Sequence, residues 1–421
     1  FGCGGERDKA KRVLMGKVAK KYCDKIYITD DNPRSENPKK IRRDIMKGLN
    51  NFKAKEIGNR KKAITHALKN SDPYEIILIA GKGHEIFQDI GKRKIFFSDK
   101  NIIKNFYNKK IFSGKKNNNF KYNGIILKKT LKTKKNYFFD GVSINSKTIK
   151  KNNLFIAIKG KKKDGHNFLN HALKNGAKYC VVSKTNKKNS KFIYVKNTLK
   201  FLNQLAKQKR NKSFTRFIAV TGSSGKTTVK TMLGNLLNEY SKTYFSPRSF
   251  NNHYGVPLSI SNINPEDNFG VFEVGMNKFN EINKLSGLVK PHIGIITNVS
   301  EAHLENFRSI KDIAKAKSEI IYNIQKNGTL ILNRDDKFFR YFNKIAKNNS
   351  IKVRSFGYSK KSDVRFVNLI KKQSFFFLKV VINKKNFLMM VNNNNKNYIM
   401  NILSCLSVIS ELNLPLNKIK N

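Results

Sequence analysis

The 421-residue sequence has no tryptophan, only eight prolines and only four cysteines, and its acids are scarce, with 28 Asp and Glu against 86 Lys and Arg. Each scarcity excludes something. Cys3, Cys23, Cys180 and Cys405 lie far apart and form no Cys-x-x-Cys pair. Neither a disulfide scaffold nor a structural zinc site is therefore expected, and a reducing cytoplasm is the expected compartment. No apolar run approaches the roughly 20 residues a membrane helix needs, so no membrane association is expected. The runs Ile76–Ala80 and Ile293–Thr297 are short enough to read as buried strands. The opening Phe1-Gly2-Cys3-Gly4-Gly5 has no initiating Met and no apolar signal core, and it starts inside what reads as a structural motif, so a fragment is expected.

The shortage of acids leaves a formal net charge of +58, which invites a nucleic-acid reading. The lysines, however, spread along the whole chain and come with many Asn, Ile and Phe, a profile that also suits AT-rich coding. No Arg-rich block, zinc finger or aromatic-interleaved RNA motif accompanies them. The charge is read as solvated faces, with no nucleic-acid partner expected. The rival class is a basic P-loop NTPase that binds nucleic acid.

Three segments differ in character. Residues 1–106 alternate strands (Lys25–Thr29, Glu75–Ala80) with helices (Pro38–Gly48, Lys61–Lys69), the layout of an open, doubly wound α/β sheet. Residues 107–122 are Lys- and Asn-rich and read as a linker. Segment 123–213 carries short strands (Leu154–Ile158, Tyr179–Ser183, Phe192–Val195) and a helix near Asn167–Asn175, a small α/β domain. From 214 to 421 a further α/β series begins, with strands at Phe217–Thr221, Gly270–Val274, Ile293–Asn298 and Gly328–Leu332. The Asn392–Asn395 run reads as a loop.

The strongest local signal is the run Thr221, Gly222, Ser223, Ser224, Gly225, Lys226, Thr227 and Thr228, entered from an apolar strand and followed by a helical pattern over Val229–Leu237. Backbone N–H groups of such a loop, with the helix N-terminus behind them, offer donors and positive potential to phosphate oxygens. Lys226 would reach the β/γ-phosphates, and the Thr227 hydroxyl would face Mg2+. Counted from Gly222 the spacing is one residue shorter than the usual P-loop, although Thr221 can take the first position. Glu273 ends a strand that would neighbour this loop and is a second candidate for Mg2+. Taken alone, Glu273 is an ordinary strand-end acid, His303 is ambiguous and Lys317 is a surface-helix lysine.

In their order along the chain, these residues resemble the Mur ligase family, in its type that adds D-Ala-D-Ala to UDP-MurNAc-tripeptide. The resemblance spans roughly 137–421. Phe139–Lys147, Leu154–Gly160 and Asp164–Phe168 resemble the UDP-sugar domain, which implies sugar-nucleotide contacts from Ser146, Lys147, Lys159, Gly160, Asp164, Gly165 and His166. Thr221–Thr228, Asn251–Pro257, Glu273–Asn277, Thr297–Glu305, Ala314–Glu319 and Asn333–Asp336 resemble the central ATP domain. The resemblance implies an ATP-dependent amide ligase working through an acyl phosphate. Thr227, Glu273, His303 and Lys317 would serve two Mg2+ ions, with Lys317 carbamylated, and all four should lie within about 10 Å of the phosphate loop. Asn251 and Asn252 would be active-site residues, and Asn333 and Asp335 would meet adenine and ribose. Two departures stand out. In the late motif Lys396–Asn401 only Asn401 keeps its character, and the chain stops where the family's C-terminal domain would start.

Residues 1–106 resemble a different piece of the same family, the C-terminal domain of the type that adds meso-diaminopimelate. Phe1–Lys9, Asp31-Asn32-Pro33-Arg34 and Ala80–Glu85 carry that resemblance. It implies that Arg7, Asp31, Asn32, Arg34, Gly81 and Glu85 hold diaminopimelate. Without the family, Asp31–Arg34 is a turn around a proline. The order of pieces implies the middle of a fusion of two consecutive ligases; the alternative is an artefact joining neighbouring genes. A non-catalytic scaffold of docked ligase domains is a third possibility.

Overall fold

The computed structural model describes the chain except residues 51, 72–74, 84, 86, 92, 101, 104–105, 107–116, 134, 161–162, 186–188, 302–305, 373–374 and 417–421. Its contacts divide into two units, Phe1–Lys116 and Asn117–Asn421.

The first unit has helices α1 (Ala10–Tyr22), α2 (Pro38–Lys47) and α3 (Arg60–Asn70) and strands β1 (Tyr27–Ile28), β2 (Lys55–Glu56), β3 (Phe87–Asp89) and β4 (Lys94–Phe96). α2 starts where Asn37 accepts the Lys39 N–H and Pro38 takes the first position, which needs no N–H of its own. Asn59 caps α3 in the same way through Lys62. β1 and β2 pair in parallel, and β3 and β4 form an antiparallel hairpin. The apolar core is small, namely Ile26, Ile28, Ile41, Ile45 and Leu49. Ion pairs of buried arginines supplement it: Arg12 with Glu36 (2.9 Å) and Asp44 (3.1 Å), Arg42 with Asp30 and Glu56 (2.7 Å), and Arg60 with Asp99 (2.7 Å).

The expected strand over Glu75–Ala80 does not pair into a sheet, and Ile76 and Leu78 are 98% and 78% exposed. Both edges of β1 are already in use. β2 takes one, and on the other Tyr27 O accepts from the Phe1 amine while Thr29 N–H donates to Phe1 O. A strand needs a free edge for its backbone groups, and β1 offers none.

The second unit opens with α4 (Asn117–Leu131), whose first residues lie inside the stretch read as a linker; 107–116 fall outside the described residues. Strands β5 (Val142–Ser143), β6 (Asn153–Ile156), β7 (Ala177–Val182) and β8 (Phe192–Tyr194) form a parallel sheet in sequence order, with α5 (Leu169–Lys174) between β6 and β7. α6 (Thr198–Lys212) leads from it into a nine-stranded sheet. Its strands are β9 (Arg216–Thr221), β10 (Thr243–Phe245), β11 (Phe269–Glu273), β12 (Ile293–Ile296), β13 (Thr329–Asn333), β14 (Lys352–Gly357), β15 (Val364–Lys372), β16 (Phe375–Ile382) and β17 (Lys385–Val391). The order is β10-β11-β9-β12-β13-β14-β15-β16-β17; pairing is parallel up to β15 and antiparallel beyond.

Helices cover both faces of this sheet, which is why its central strands read as unbroken apolar runs. α7 (Lys226–Asn238) packs Val229, Leu233 and Leu237 on one side, and α12 (Lys396–Glu411) adds Leu403, Leu406 and Ile409. Each such side chain contributes roughly 1.5–3 kcal/mol of burial. On the other side lie α8 (Gly255–Ser261), α9 (Glu281–Val289), α10 (Ile310–Ser318) and α11 (Phe339–Asn348). The Asn392–Asn395 run is a loop, and its last residue caps α12 by accepting the Asn397 N–H at 2.8 Å. Asn262, after α8, holds the small sheet to the large one. Its carboxamide accepts the Val142 N–H (2.8 Å) and donates to Val142 O (3.0 Å), as a strand partner would.

Candidate active site

β9 lies between β11 and β12, so the loop leaving its carboxyl end is flanked by the ends of both neighbours. That is where parallel sheets bind ligands. Two glycines make the loop possible. Gly222 has φ +152, and a Cβ there would stand 1.8 Å from Thr297 Oγ1; Gly225 has φ +78 and would press on Asn401 Oδ1 at 2.6 Å. Asn401, the residue that keeps its character in the late motif, therefore lies directly against the phosphate loop.

The loop is tied down from β12. Thr297 Oγ1 donates to Ser224 O at 2.6 Å, the Ser224 N–H donates to Asn298 Oδ1 at 3.0 Å, and Ser223 Oγ donates to Ser300 O at 3.0 Å. α7 begins at Lys226, immediately after the left-handed Gly225. Lys226 Nζ donates to Gly222 O (2.8 Å) and Ser223 O (3.2 Å), curled over the loop that precedes it.

Glu273 ends β11 with 1% exposure. Its carboxylate accepts from Thr227 Oγ1 (2.8 Å) on one oxygen and from Asn251 Nδ2 (2.8 Å) on the other. Gly275 leaves room for Asn251, since a Cβ there would lie 2.9 Å from its carboxamide carbon. The neighbouring Asn252 Oδ1 accepts the N–H groups of Tyr254 and Gly255 at the turn into α8. Burial lowers the pKa of Lys226, and the Glu273 carboxylate partly offsets this. Lys317, on α10, is 1% exposed. Its pKa is lowered to about 7, first by burial and then by the Lys226 ammonium. Of the four residues expected to share metals, Thr227, Glu273 and Lys317 thus gather around Lys226, while His303 lies outside the described residues. Thr228 follows on the first turn of α7, and Thr221 Oγ1 is buried without a hydrogen-bond partner.

Beside the loop opens a cleft of about 610 Å³ lined by Val299, Ser300, Glu301, Asn333, Asp335 and Lys337, among others. Asn333 and Asp335, expected on the adenine and ribose sides, stand in its wall. Asp335 already accepts the Tyr358 N–H (2.6 Å) and Ser359 N–H (3.0 Å), and Asn333 Oδ1 accepts the Asp335 N–H (3.0 Å).

In the small sheet, Asp164 accepts from the His166 N–H (3.0 Å) and from His166 Nδ1 (2.6 Å). Ser183 N–H donates to His166 Nε2 (3.0 Å), so Nδ1 carries the proton. These donors, the His166 backbone N–H first, hold the Asp164 carboxyl below the usual carboxylate range. Both residues thereby fasten the turn after β6 to the end of β7. Gly165 fits there because a Cβ would strike the Ile158 backbone at 2.7 Å. Lys159 and Asp164 form an isolated bridge, and Gly160 N–H closes onto Lys163 O. Ser146 is buried with its carbonyl accepting from Asn175, and Lys147 N–H donates to Asn145 Oδ1.

In the first unit, Asp31, Asn32, Gly81 and Glu85 come together. Asn32 Nδ2 donates to Glu85 Oε2 at 2.8 Å, and a Cβ on Gly81 would lie 3.2 Å from Asp31 Oδ2. Arg34, at φ +50, donates to Gly5 O and lines a cleft of about 570 Å³ with Glu6, Ser35, Asp89, Ile90 and Gly91. Arg7 is exposed; its Cγ and Arg34 Nη1 both lie close to Gly4.

Sequence reading missed Lys230 and Lys82, whose surface-lysine appearance hides that both are 2% exposed. Lys230 Nζ donates to Arg248 O at 2.6 Å and so anchors the loop carrying Asn251. Its spacing four residues after Lys226, on the same helix face, was the available signal.

Residues 220–409 match the Mur ligase middle domain, 139–210 the Mur ligase family catalytic domain, and 1–83 the Mur ligase glutamate ligase domain. A UDP-N-acetylmuramoyl-tripeptide–D-alanyl-D-alanine ligase of Rickettsia prowazekii is 39% identical over 229 residues, 54% of this chain and 51% of that protein. A UDP-N-acetylmuramoyl-L-alanyl-D-glutamate–2,6-diaminopimelate ligase of Rickettsia typhi is 48% identical over 106 residues, 25% of this chain and 22% of that protein. The chain spans about half the length of the curated D-alanyl-D-alanine ligases it matches first. Among solved structures, MurF of Acinetobacter baumannii superposes with a TM-score of 0.62 at 26% identity, covering 70% of this chain and 66% of that one. MurF ligase of Thermotoga maritima in complex with ADP gives 0.58 at 28% identity, covering 65% and 64%. No described helix is long and apolar enough to cross a membrane. With three of its domain types matched on one chain, and with solved relatives sharing its fold, this protein belongs to the Mur ligase family.

Proposed function

We propose that residues 117–421 belong to an ATP-dependent amide ligase of cytoplasmic peptidoglycan precursor synthesis, adding D-Ala-D-Ala to UDP-MurNAc-tripeptide. The observation that carries this reading is the hydrogen-bonded convergence of Lys226, Thr227, Asn251 and Glu273 at one loop, with the buried Lys317 near enough to feel the Lys226 charge. The names of the relatives support it. Residues Ser146, Lys147, Lys159, Gly160, Asp164, Gly165 and His166 would bound the sugar-nucleotide side, and Asn333 and Asp335 the adenosine side.

A carboxylate resists amine attack until one oxygen becomes a leaving group. The γ-phosphoryl of ATP would pass to the terminal carboxylate oxygen of the tripeptide, releasing ADP. The amine of D-Ala-D-Ala would then attack the acyl carbon, losing a proton as phosphate leaves. Both steps gather negative charge, so the work of this chain is neutralisation and alignment. The N–H groups at the head of α7, from Gly225 to Thr227, would face the phosphates, since those of Ser223 and Ser224 are bonded to Asn298, and Lys226 would exchange its loop carbonyls for phosphate oxygens.

The residues fit Mg2+. Thr227 Oγ1 and Glu273 Oε2 are hard oxygen donors 2.8 Å apart, close to the about 2.9 Å separating neighbouring ligands of an octahedral ion at 2.0–2.1 Å. Bound there, Mg2+ would supply charge neutralisation of the phosphates. A second ion would call on His303 and on Lys317 as its carbamate. The lowered pKa of Lys317 favours the neutral amine that carbon dioxide needs, above about pH 7. For residues 1–106 the same reasoning supports a diaminopimelate site. Arg34 suits a carboxylate, while Asp31, Asn32 and Glu85 suit an ammonium.

The test is calorimetric titration of the chain with Mg-ATP and with UDP-MurNAc-tripeptide, followed by mass spectrometry for ADP and the pentapeptide product after D-Ala-D-Ala is added. Binding of both ligands is expected. A chain that binds neither would defeat the reading.

A further inference from the structure

Lys82 sits between Gly81 and Gly83, and its side chain is completely buried, at 0% exposure. Its Nζ donates to Asn32 Oδ1 at 2.8 Å and to Glu85 Oε2 at 3.2 Å, and stands 3.7 Å from Asp31 Oδ1. Asn32 completes the array: its Nδ2 donates to the same Glu85 oxygen, and its Oδ1 also accepts the Asp89 N–H at 2.9 Å. Asp31 Oδ1 is buried and has no hydrogen-bond partner. A buried ammonium is unfavourable unless neighbouring charges and acceptors compensate it. Here all the compensation comes from three residues that the reading above gives to the ligand.

We infer that Lys82 is the positioning residue of the diaminopimelate site, an inference that rests on that reading of residues 1–106. Its ammonium, fixed between two turns, sets the carboxamide of Asn32 with its oxygen inward and its N–H groups toward Glu85 and the ligand side. It also holds the two carboxylates of Asp31 and Glu85 near one another, which unaided they would resist. Two carboxylates and one ammonium leave the array net negative, suited to an incoming ammonium of a diamino dicarboxylic acid. Arg34 on the same turn remains for a carboxylate. Lys82 does not itself need to touch the ligand.

The charges facing Asp31 support this assignment. Burial raises the Asp31 pKa; Arg60 and Lys82 pull it back, whereas Glu85 and Asp99 push it further up. The Phe1 amine and Cys3 also interact with it. Without Lys82, one of the two principal cations disappears. Asp31 would then protonate at higher pH, and an ammonium ligand would be lost at higher pH.

The experiment is calorimetric titration of the whole chain, and of its Lys82→Met, Lys82→Gln and Lys82→Arg variants, with meso-diaminopimelate between about pH 5 and 8. Thermal melts accompany each variant. Loss of a charge-assisted contact predicts binding weakened about tenfold to a hundredfold in Lys82→Met. The acid limb of the affinity profile should move to higher pH in both Met and Gln variants and return toward the original in Lys82→Arg. A purely structural lysine would change the melting temperature but leave that limb in place. If the original chain binds diaminopimelate while Met and Gln variants match its affinity and pH profile, the inference is overturned and the site stands. If the original chain does not bind, the site reading fails and the inference falls with it. Should Lys82→Met fail to fold, the Gln variant decides by the position of its acid limb.

Discussion

The two candidate sites of this chain are built by opposite means. Around the phosphate loop, position comes mostly from the backbone: parallel strands set the register, two glycines let the loop turn, and the Thr297 and Asn298 side chains clamp the main chain of Ser224. The layers beneath are apolar, with Ile218, Val220, Ile293 and Ile295 all essentially buried. Around Asp31–Arg34, the sheet contributes little. Position there comes from buried cations, each bridging two segments: Arg12 joins Glu36 and Asp44, Arg42 joins Asp30 and Glu56, and Arg60 joins Asp99 and Ala80 O. A backbone-built site tolerates side-chain change except at the groups that touch ligand and at the few, such as Thr297 and Asn298, that hold the loop. A charge-built site depends on every member of its network, because removing one partner leaves the other buried and unpaired.

The largest expected effect therefore lies at a side chain behind the site rather than at one assigned to a ligand. Arg60 and Asp99 are 0% and 8% exposed and joined by two hydrogen bonds of 2.7 and 2.9 Å. Arg60→Met should cost about 3–5 kcal/mol, the usual consequence of orphaning a buried charge. Hydrogen exchange resolved by segment should show faster exchange across α3 and Asp31–Arg34, with β9 to β13 unchanged. Uniform protection in both units would contradict the charge-built description. Next in size is Lys226→Ala. The loop is fixed by other groups, so its fold should persist, but Mg-ATP affinity should fall about a hundredfold, some 2.7 kcal/mol, from loss of a charge-assisted phosphate contact. UDP-MurNAc-tripeptide titration should be unaffected. Comparable loss of both ligands would mean that Lys226 holds the loop rather than the nucleotide.

Comparable or smaller is Arg34→Ala, which removes a fork suited to a carboxylate and should cost about 1.5–3 kcal/mol in diaminopimelate binding. Lys at this position should restore little, since a point charge cannot make a bidentate contact. Calorimetry with diaminopimelate and with lysine separates the cases. Equal affinity for both ligands would mean that the Asp31–Arg34 turn reads no second carboxylate.

The same contrast explains what could be read from the sequence. β9, β11, β12 and β13 appear within one or two residues of their expected bounds, because apolar runs between turn residues record burial on both faces. The phosphate loop was legible because glycine spacing and the following helix are both local. Glu75–Ala80 carried the same apolar signature, yet it pairs with no described strand while both edges of β1 are taken, a matter of topology that composition does not record. Lys82, Lys230 and Lys317 were illegible one by one. Among 86 basic residues, a lysine whose burial depends on a carboxylate, amide or carbonyl distant in sequence resembles every other lysine. Asn252 shows the reverse: a residue expected in the active site whose side-chain oxygen also serves the turn that starts a helix, a role the sequence did not signal.

The smallest effect is the most specific to the charge-built unit. The Glu36 carboxylate accepts from Arg12 and from the Glu6 N–H, and these hydrogen bonds, Arg12 first, hold its pKa at about 2. A carboxyl whose folded pKa lies below its unfolded value of about 4.3 stabilises the fold above that value, and the contribution fades as pH falls toward 2. Glu36→Gln should therefore lower the melting temperature of the chain near neutrality and lose its penalty progressively between about pH 4.3 and 2, where the original side chain is itself protonated. Because Arg12 also bonds Asp44, it stays partly paired in the variant, which keeps the effect below that of Arg60→Met. Melting curves of the two chains over this range, with segment-resolved exchange at α1 and α2, provide the check. A difference independent of pH would show that Glu36 acts through shape alone, and the ion pairs of this unit would then be packing rather than electrostatic support.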